Sequence, residues 1–246
     1  MTDYLVFRLY GALSSWGDVA VGEVRPSADR PSRSAILGLV AAALGIRRDE
    51  EGRHVVLGNS LGIGVLVTSV GKPLADYHTV QVPPSGSSKR PRRYATRREE
   101  LAGRHRSELR TILSRREYRM DSLAAVAAWM RVPDSPFPLG CIANALDRPT
   151  FVPYLGRKSC PLALPMQPQV VSASSLVRAF AAARLDSPGG VTPQAASGRR
   201  MLYWEDGCEP GVPAERTEFR RDSPVSRRRW QFEVRREHHA TLEEGR

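Results

Sequence analysis

The pattern of hydrophobic and polar positions in the first half of the chain predicts strands around one principal helix. Residues 4–10 are rich in aromatic and β-branched side chains and predict a strand. Apolar side chains cover one broad face of 33–44, which follows a helix-opening proline–serine pair and therefore predicts a helix. A shorter helix is predicted over 49–57, and two further strands over 61–70 and 76–82.

The second half has a less regular pattern. Dense charge and almost no aliphatic periodicity over 85–110 predict an excursion from the core, either disordered or ordered by a partner. The segment 123–130 is ambiguous, because its alanines favour a helix while Val126 and Trp129 fit either state. Helices are predicted over 140–146 and 172–185, and short strands over 201–204 and 230–234. This order is typical of an α+β fold with helices on one face of a sheet.

Composition limits the class of protein. With 246 residues, 41% of them hydrophobic, the chain can bury a real core in one large domain or two small ones. No run reaches the roughly 18 apolar residues of a membrane helix, and the first residues lack the pattern of a signal peptide. The three cysteines are too widely spaced for a disulfide framework or a zinc knuckle. We expect a cytoplasmic protein with no membrane partner, cofactor or metal.

The net charge of +11 is concentrated in two segments. Residues 85–120 contain twelve Lys or Arg and four acidic residues, and 216–236 contain eight Arg and three acidic residues, so the remaining chain is slightly acidic. Arginine suits bidentate phosphate contacts and stacking on bases. A GC-rich genome would explain arginine in place of lysine, but it would not explain the clustering. The clusters therefore predict a polyanionic partner.

Motifs of established chemistry give little support for an enzyme. The sequence has no P-loop, no nucleophile elbow and no zinc-protease motif, and the pair His238–His239 is interpreted as surface. Strand alternation places His78 on one face with Asp76 and Val80. A histidine among arginines could act as general acid or base in metal-free RNA cleavage. No second catalytic residue is fixed by spacing, so a hydrogen-bonding role for His78 is favoured.

Aromatic residues interleaved with cations give a stronger signal. Such runs occur at 92–94, 115–119 and 227–230, and 156–158 places a cation pair beside a glycine. Single-stranded nucleic acid needs cations for its phosphates and flat side chains for its bases, and each stacked base is worth about 1–3 kcal/mol. The alternative is solvated charge beside an aromatic ring anchored in the core. At Trp230 both interpretations stay open, whereas the arginine clusters favour RNA.

Six ordered motifs extend over most of the chain. They are 11–17 (GALSSWG), 30–39 (RPSRSAILGL), 76–80 (DYHTV), 113–118 (LSRREY), 153–160 (PYLGRKSC) and 221–226 (RDSPVS). By these motifs the chain resembles the CasD family of subunits of the type I-E CRISPR surveillance complex Cascade, in the repeat-associated RNA-binding (RAMP) superfamily. The departures are mild: Ser32 and Arg33 stand where the family reads Thr-Lys.

The resemblance implies a fold. It implies a ferredoxin-like (RRM-type) palm over 1–82 and 114–170, with a basic β-hairpin thumb inserted over 83–113. A small C-terminal region containing β-structure would cover 171–246. The resemblance also makes 123–130 a strand, against the helical propensity of its alanines.

The resemblance also implies a role in antiviral defence. Members of the family are non-catalytic RNA-binding subunits that grip the 5′ handle of CRISPR RNA (crRNA) and cap the backbone filament of CasC subunits. They also abut the large subunit CasA, with target DNA nearby through the complex, while repeat cleavage is the task of the subunit CasE. The alternative is a metal-independent endoribonuclease that processes CRISPR repeat RNA. A generic RNA-binding protein of unrelated function is the third class.

No catalytic residue and no metal ligand is assigned. The residues expected to contact RNA are Ser14, Trp16, Arg33, Ser34, His78, Tyr94, Arg115, Arg116, Tyr118, Arg157 and Lys158. The start of the helix at 32–34 is expected to offer its backbone N–H groups and its dipole to a phosphate.

Overall fold

The computed structural model describes residues 1–20, 22–83, 94–185 and 199–243, which form a mixed α/β fold of mostly antiparallel strands. The strands are β1 (Thr2–Tyr10), β2 (Leu13–Ser14), β3 (Trp16–Gly17), β4 (Val24–Arg25), β5 (Ser27–Ala28), β6 (Leu61–Ser69), β7 (Lys72–Val82), β8 (Arg110–Met120), β9 (Leu123–Met130), β10 (Gln169–Ala173), β11 (Arg199–Trp204), β12 (Arg216–Ser226) and β13 (Gln231–Glu243). The helices are α1 (Arg33–Ala43), α2 (Glu51–Ser60), α3 (Arg97–Leu101), α4 (Leu139–Asp147) and α5 (Leu176–Ala182), with a 3₁₀ turn at Arg106–Glu108. No helix within these ranges is both long and apolar enough to cross a membrane.

One antiparallel sheet of seven strands organises the molecule, in the order β10-β1-β9-β6-β11-β13-β12. The alanine-rich β9 lies between β1 and β6 and pairs with both along its length. Its alanines are buried, because small side chains let helices approach both faces of the sheet. The strand expected at 123–130 is therefore confirmed, and tertiary pairing outweighs the helical propensity of alanine.

Helix α1 packs its apolar face on the sheet, as its periodicity predicted. Ile36, Leu37 and Val40 are buried with Phe7 of β1 in one core cluster. The Ser32 side chain caps the helix by accepting a hydrogen bond of 3.2 Å from the N–H of Ala35. A second cluster on the opposite face packs α5 against β1 and β11.

Strands β7 and β8 form a long hairpin that leaves the main sheet. They pair in register from Lys72 opposite Met120 to Val82 opposite Arg110. The excursion predicted over 85–110 therefore connects the two arms of this hairpin. Its described part contains α3 and the 3₁₀ turn, while residues 84–93 lie outside the described ranges. The domain boundary expected at 113 falls inside β8.

One prediction about the C-terminal third is wrong, and one strand there was not predicted. The single helix predicted over 172–185 is the end of β10 followed by α5, because Ser172 and Ala173 pair with Asp3 and Thr2 of β1. The boundary expected at 171 thus falls inside a strand. Strand β12 was not predicted at all: its buried position Asp222 is charged, so the sequence shows no apolar alternation. With β13, which is longer than the predicted strand, β12 forms a second hairpin at the edge of the main sheet.

Candidate nucleic-acid interface

A groove of about 1330 Å³ lies between the outer face of α1 and the β12–β13 hairpin. The segments 15–19 and 151–157 close its other side. Its cationic lining residues are Arg47, Arg48, Arg157, Arg220, Arg221 and Arg227. Four of its aromatic rings are exposed, those of Phe151, Tyr154, Phe219 and Trp230. The groove therefore combines positive charge with flat hydrophobic surface, which is the chemistry that single-stranded nucleic acid needs.

Arginines from three segments meet at one end of the groove. The Arg157 guanidinium lies 4.8 Å from the centre of the Tyr118 ring and donates to the carbonyl oxygen of Arg25 at 3.4 Å. Strand β4 pairs in parallel with β8, so Arg25 lies opposite Arg116, one residue after Arg115. Lys158 is exposed beside Arg157. Of the predicted site residues, the structure thus brings Arg116, Tyr118 and Arg157 together beside β8, with Arg115 and Lys158 as their sequence neighbours.

The loop that carries Arg157 is fixed by close backbone packing. Gly156 has a φ of +87°, and a Cβ there would lie 1.8 Å from the carbonyl oxygen of Ser15. The N–H of Ser15 donates to the carbonyl of Leu155 at 3.0 Å. Only glycine satisfies both the left-handed backbone and the approach. The motifs at 11–17 and 153–160 therefore hold each other, and their packing positions Arg157.

Three predicted contact residues belong instead to the core. Ser14 is buried, with its hydroxyl 2.6 Å from that of Ser122. Trp16 is buried in the main core cluster. Tyr118 is also buried there and supports the Arg157 guanidinium. The burial of these three side chains counts against the expectation that they contact RNA directly.

Arg33 is the clearest correction among the predicted contacts. Its guanidinium is buried, and its Nη1 donates to both carboxylate oxygens of Glu205 at 2.6 and 2.7 Å. Its backbone N–H donates to Oδ2 of Asp222 at 2.9 Å. With Ser32 capping the same turn, these N–H groups are satisfied inside the protein. The N–H groups of Arg33 and Ala35 therefore already have partners within the protein, which counts against the expected use of the helix start for phosphate. Ser34 remains on the lining of the groove.

Two other predicted residues lie away from the groove. His78 is half-buried on β7, and its Nε2 is 2.5 Å from Oδ2 of Asp76, on the shared face that strand alternation predicted. Tyr94 is exposed at the start of the described segment before α3.

His238, interpreted as surface, is partly buried between Asp206 and Thr217; its Nε2 is 2.9 Å from Oδ1 of Asp206, and its Nδ1 is 2.8 Å from Oγ1 of Thr217. In the described ranges, no group of three or more acidic, His or Cys side chains could hold a metal ion.

The groove also contains residues that were not among the predicted RNA contacts. Arg48 and Arg227 lie on opposite sides of its far end, and Trp230 lies at the hairpin turn with 59% of its surface exposed. The sequence had indicated the run at 227–230 by its arginines beside an aromatic ring. It left open whether Trp230 is anchored in the core, and the structure shows that Trp230 is exposed. Nothing in the sequence around Arg48 indicated that it would meet the C-terminal hairpin.

Comparisons with known proteins agree with one another. A family model described as CRISPR-associated protein (Cas_Cas5) matches residues 4–238. The CRISPR system Cascade subunit CasD of Escherichia coli (strain K12) is 34% identical over 176 residues, which cover 68% of this chain and 70% of that protein. A chain of a solved "CRISPR RNA-guided surveillance complex" is 25% identical with a TM-score of 0.63, over 98% of this chain and 89% of that one. A solved "Cas protein" at 23% identity shares the fold, with a TM-score of 0.62 over 98% of this chain and 95% of that one.

Proposed function

Because the chain belongs to the Cas5 family of CRISPR-associated proteins, we propose that it is a non-catalytic subunit of a Cascade-type complex that holds the 5′ handle of crRNA. Its neighbours in that complex would be the CasC backbone subunit and the large subunit CasA, with target DNA nearby. A place in CRISPR antiviral defence follows from the family itself.

The fold supports a division into palm, thumb and C-terminal region. The elements β1-α1-β6-β9-α4-β10 follow a βαββαβ order, and their strands are arranged β10-β1-β9-β6, which is the ferredoxin-like arrangement. We assign this unit as the palm and the β7–β8 hairpin as the thumb. The C-terminal region then extends the palm sheet through β11, β13 and β12.

The observation that carries the proposal is the unpaired charge of the groove. Within the described residues, no carboxylate oxygen lies within 4.0 Å of the guanidinium nitrogens of Arg47, Arg48, Arg157, Arg221 or Arg227. Arginines whose positive charge is not neutralised by an internal carboxylate are available to an external polyanion. The exposed rings among them favour an unpaired strand, because duplex bases are already stacked.

RNA cleavage is the second candidate function, and the pair formed by His78 and Asp76 favours it. A carboxylate beside an imidazole can orient it as a general base. In the non-catalytic proposal the same pair only orders the hairpin. The discriminating test incubates purified protein with its repeat RNA in EDTA. We expect intact RNA; cleavage that disappears in His78→Ala would replace the proposal with an endoribonuclease.

The salt dependence of binding tests the electrostatic part. If about six phosphates are neutralised, the logarithm of the affinity should fall with a slope near −4 against the logarithm of salt concentration, for a single strand. Between 50 and 200 mM salt the affinity for a handle RNA should therefore drop by about 10²–10³-fold. Fluorescence anisotropy with labelled RNA measures this directly. An affinity that does not change with salt would contradict the proposal.

A further inference from the structure

Arg227 lies at the far end of the groove, and no carboxylate of the described residues forms an ion pair with it. Its Nη2 donates to the carbonyl oxygen of Ser34 at 2.6 Å, and its guanidinium lies over α1 where Gly38 has no side chain. Its Nε is buried and has no hydrogen-bond partner in the described part of the chain. Burial lowers the pKa of Arg227, and Arg48 lowers it further. A poorly solvated cation beside a like charge is unfavourable unless an anion occupies the site.

Arg48 reaches the same place from the other side of the groove. It follows α1, and its Nε donates to the carbonyl oxygen of Arg227 at 3.4 Å. Its guanidinium carbon lies 4.3 Å from the centre of the Trp230 ring. Two arginines and one indole ring thus converge from segments that are far apart in sequence.

Trp230 lies beside these arginines in an unfavourable backbone conformation. Its φ of +57° is left-handed, which costs a bulky L-residue about 1–2 kcal/mol. The ring is exposed, whereas the other three tryptophans, Trp16, Trp129 and Trp204, are buried. Strain at a non-glycine position that presents an exposed ring to a groove is typical of binding sites.

We propose that Arg227, Arg48 and Trp230 form a subsite for one nucleotide of single-stranded RNA. The backbone phosphate lies between the two guanidinium groups, and the base stacks on Trp230. The phosphate supplies the anion that Arg227 lacks, and the indole supplies a flat surface that any unpaired base can use. The subsite rests on the proposed function, and it adds a contact on the C-terminal hairpin, far from the Arg157 end of the groove.

Tryptophan fluorescence tests the subsite, because Trp230 is the exposed indole. Titration of the full chain with an eight-nucleotide single-stranded RNA should quench the emission, and a blunt RNA duplex should not. Trp230→Ala should weaken binding about 5–150-fold, the loss expected for one stacked base. Trp230→Phe should retain most of the affinity but lose the quenching.

The phosphate contact has a matched control in the same turn. Arg227→Gln and Arg228→Gln remove the same charge, but Arg228 is exposed and does not line the groove. Arg227→Gln should weaken binding about tenfold or more, and Arg228→Gln less than threefold. Arg48→Gln provides a second variant in case Arg227→Gln reduces stability, which urea denaturation would show.

The outcomes separate the subsite from the proposed function. Wild-type affinity in Trp230→Ala and Arg227→Gln, together with weakened binding in Arg157→Ala, would overturn the subsite and leave the proposed function standing. Equal quenching by duplex and single strand would overturn stacking on Trp230. Absence of RNA binding by the wild-type chain would count against both. Burial of Trp230 only when a neighbouring subunit is added would identify a protein contact and overturn the subsite.

Discussion

The two arginine-rich hairpins, β7–β8 and β12–β13, look alike in sequence but differ in what their charges contact. On β8, the Arg115 side chain is 52% exposed, and its carboxylate neighbour Glu117 lies 3.6 Å away, itself partly exposed. On β13, the Arg235 side chain is 13% exposed and donates to Asp222 and Glu237 at 2.6 Å each. The first hairpin offers its charge to solvent, and the second uses much of its charge internally.

The internal charges of the second hairpin form one network with the palm. Three buried carboxylates, Glu205, Asp222 and Glu237, are its acidic members. Their arginine partners are Arg30, Arg33, Arg131, Arg220 and Arg235. The network ties the start of α1 to the end of β11 and to both strands of the hairpin. The side of the groove that carries Arg227 and Trp230 is therefore held by ion pairs.

The difference shows that the net charge of a segment does not measure the charge available to a ligand. The net charge of residues 216–236 is +5, and it falls to +3 when Glu205 and Glu237, which lie outside the segment but pair with Arg235, are counted with it. After internal pairing, the cations left for RNA on this hairpin include Arg221 and Arg227, which both line the groove.

The largest expected effect comes from breaking the network at its centre. Glu205→Gln leaves Arg33 and Arg131 without the carboxylate that each contacts at 2.6 Å. Removing one partner of a buried ion pair costs about 3–5 kcal/mol, and we expect that loss in the free energy of unfolding in urea. Glu218→Gln on β12 is the control, since its carboxylate is 35% exposed. A loss below about 1 kcal/mol for Glu205→Gln would show that the network is not needed.

The next largest expected effect is a loss of folding stability at acid pH, caused by protonation of Glu237. Burial pushes the pKa of Glu237 upward, but Arg235, Arg220 and Arg30 outweigh burial and lower the pKa from 4.5 to about 2. Because the folded pKa lies below the unfolded value, the carboxylate stabilises the fold fully above pH 4.5, and this stability is lost as the pH falls toward 2. The shift corresponds to about 3 kcal/mol.

Urea unfolding at a series of pH values measures this contribution. Glu237→Gln should lack it, so its stability should change less than that of the wild type between pH 4.5 and pH 2. Glu233→Gln, an exposed position on the same strand, should keep the wild-type dependence. Parallel curves for wild type and Glu237→Gln would mean that the ion pairs of Glu237 do not form.

Elements with a regular apolar pattern were predictable from the sequence, whereas the pairing of charges was not. The apolar face of α1 recurs with the period of a helix, and β6 is a short run of apolar and β-branched residues that is buried along most of its length. A buried serine or arginine has no such signature. From the sequence, Ser14 and Arg33 would be assigned to the surface. In the structure they are buried, because Ser14 contacts Ser122 and Arg33 pairs with Glu205. Strand β12 was missed for the same reason, because its inward position Asp222 is charged.

The candidate site was predictable at one end only. Arg115, Arg116, Arg157 and Lys158 lie in dense basic motifs, and the fold brings these motifs together beside β8. The far end depends on the left-handed backbone of Trp230 and on the approach of Arg48 to it. Both are consequences of how the C-terminal hairpin folds back over α1, and no local pattern encodes that contact.

The smallest expected change in stability separates the two hairpins most sharply. Arg115→Ala removes an exposed side chain and should alter the free energy of unfolding by less than about 0.5 kcal/mol. It should nevertheless reduce the salt slope of RNA binding by about 0.7, the value of one phosphate contact on a single strand. Arg235→Gln should show the opposite pattern, with a large loss of stability from the unpaired Asp222 and Glu237. Urea unfolding and anisotropy at four salt concentrations measure both quantities on each variant. If Arg115→Ala left the slope unchanged, the exposed charge of the first hairpin would not contact phosphate, and the contrast between the hairpins would concern stability alone.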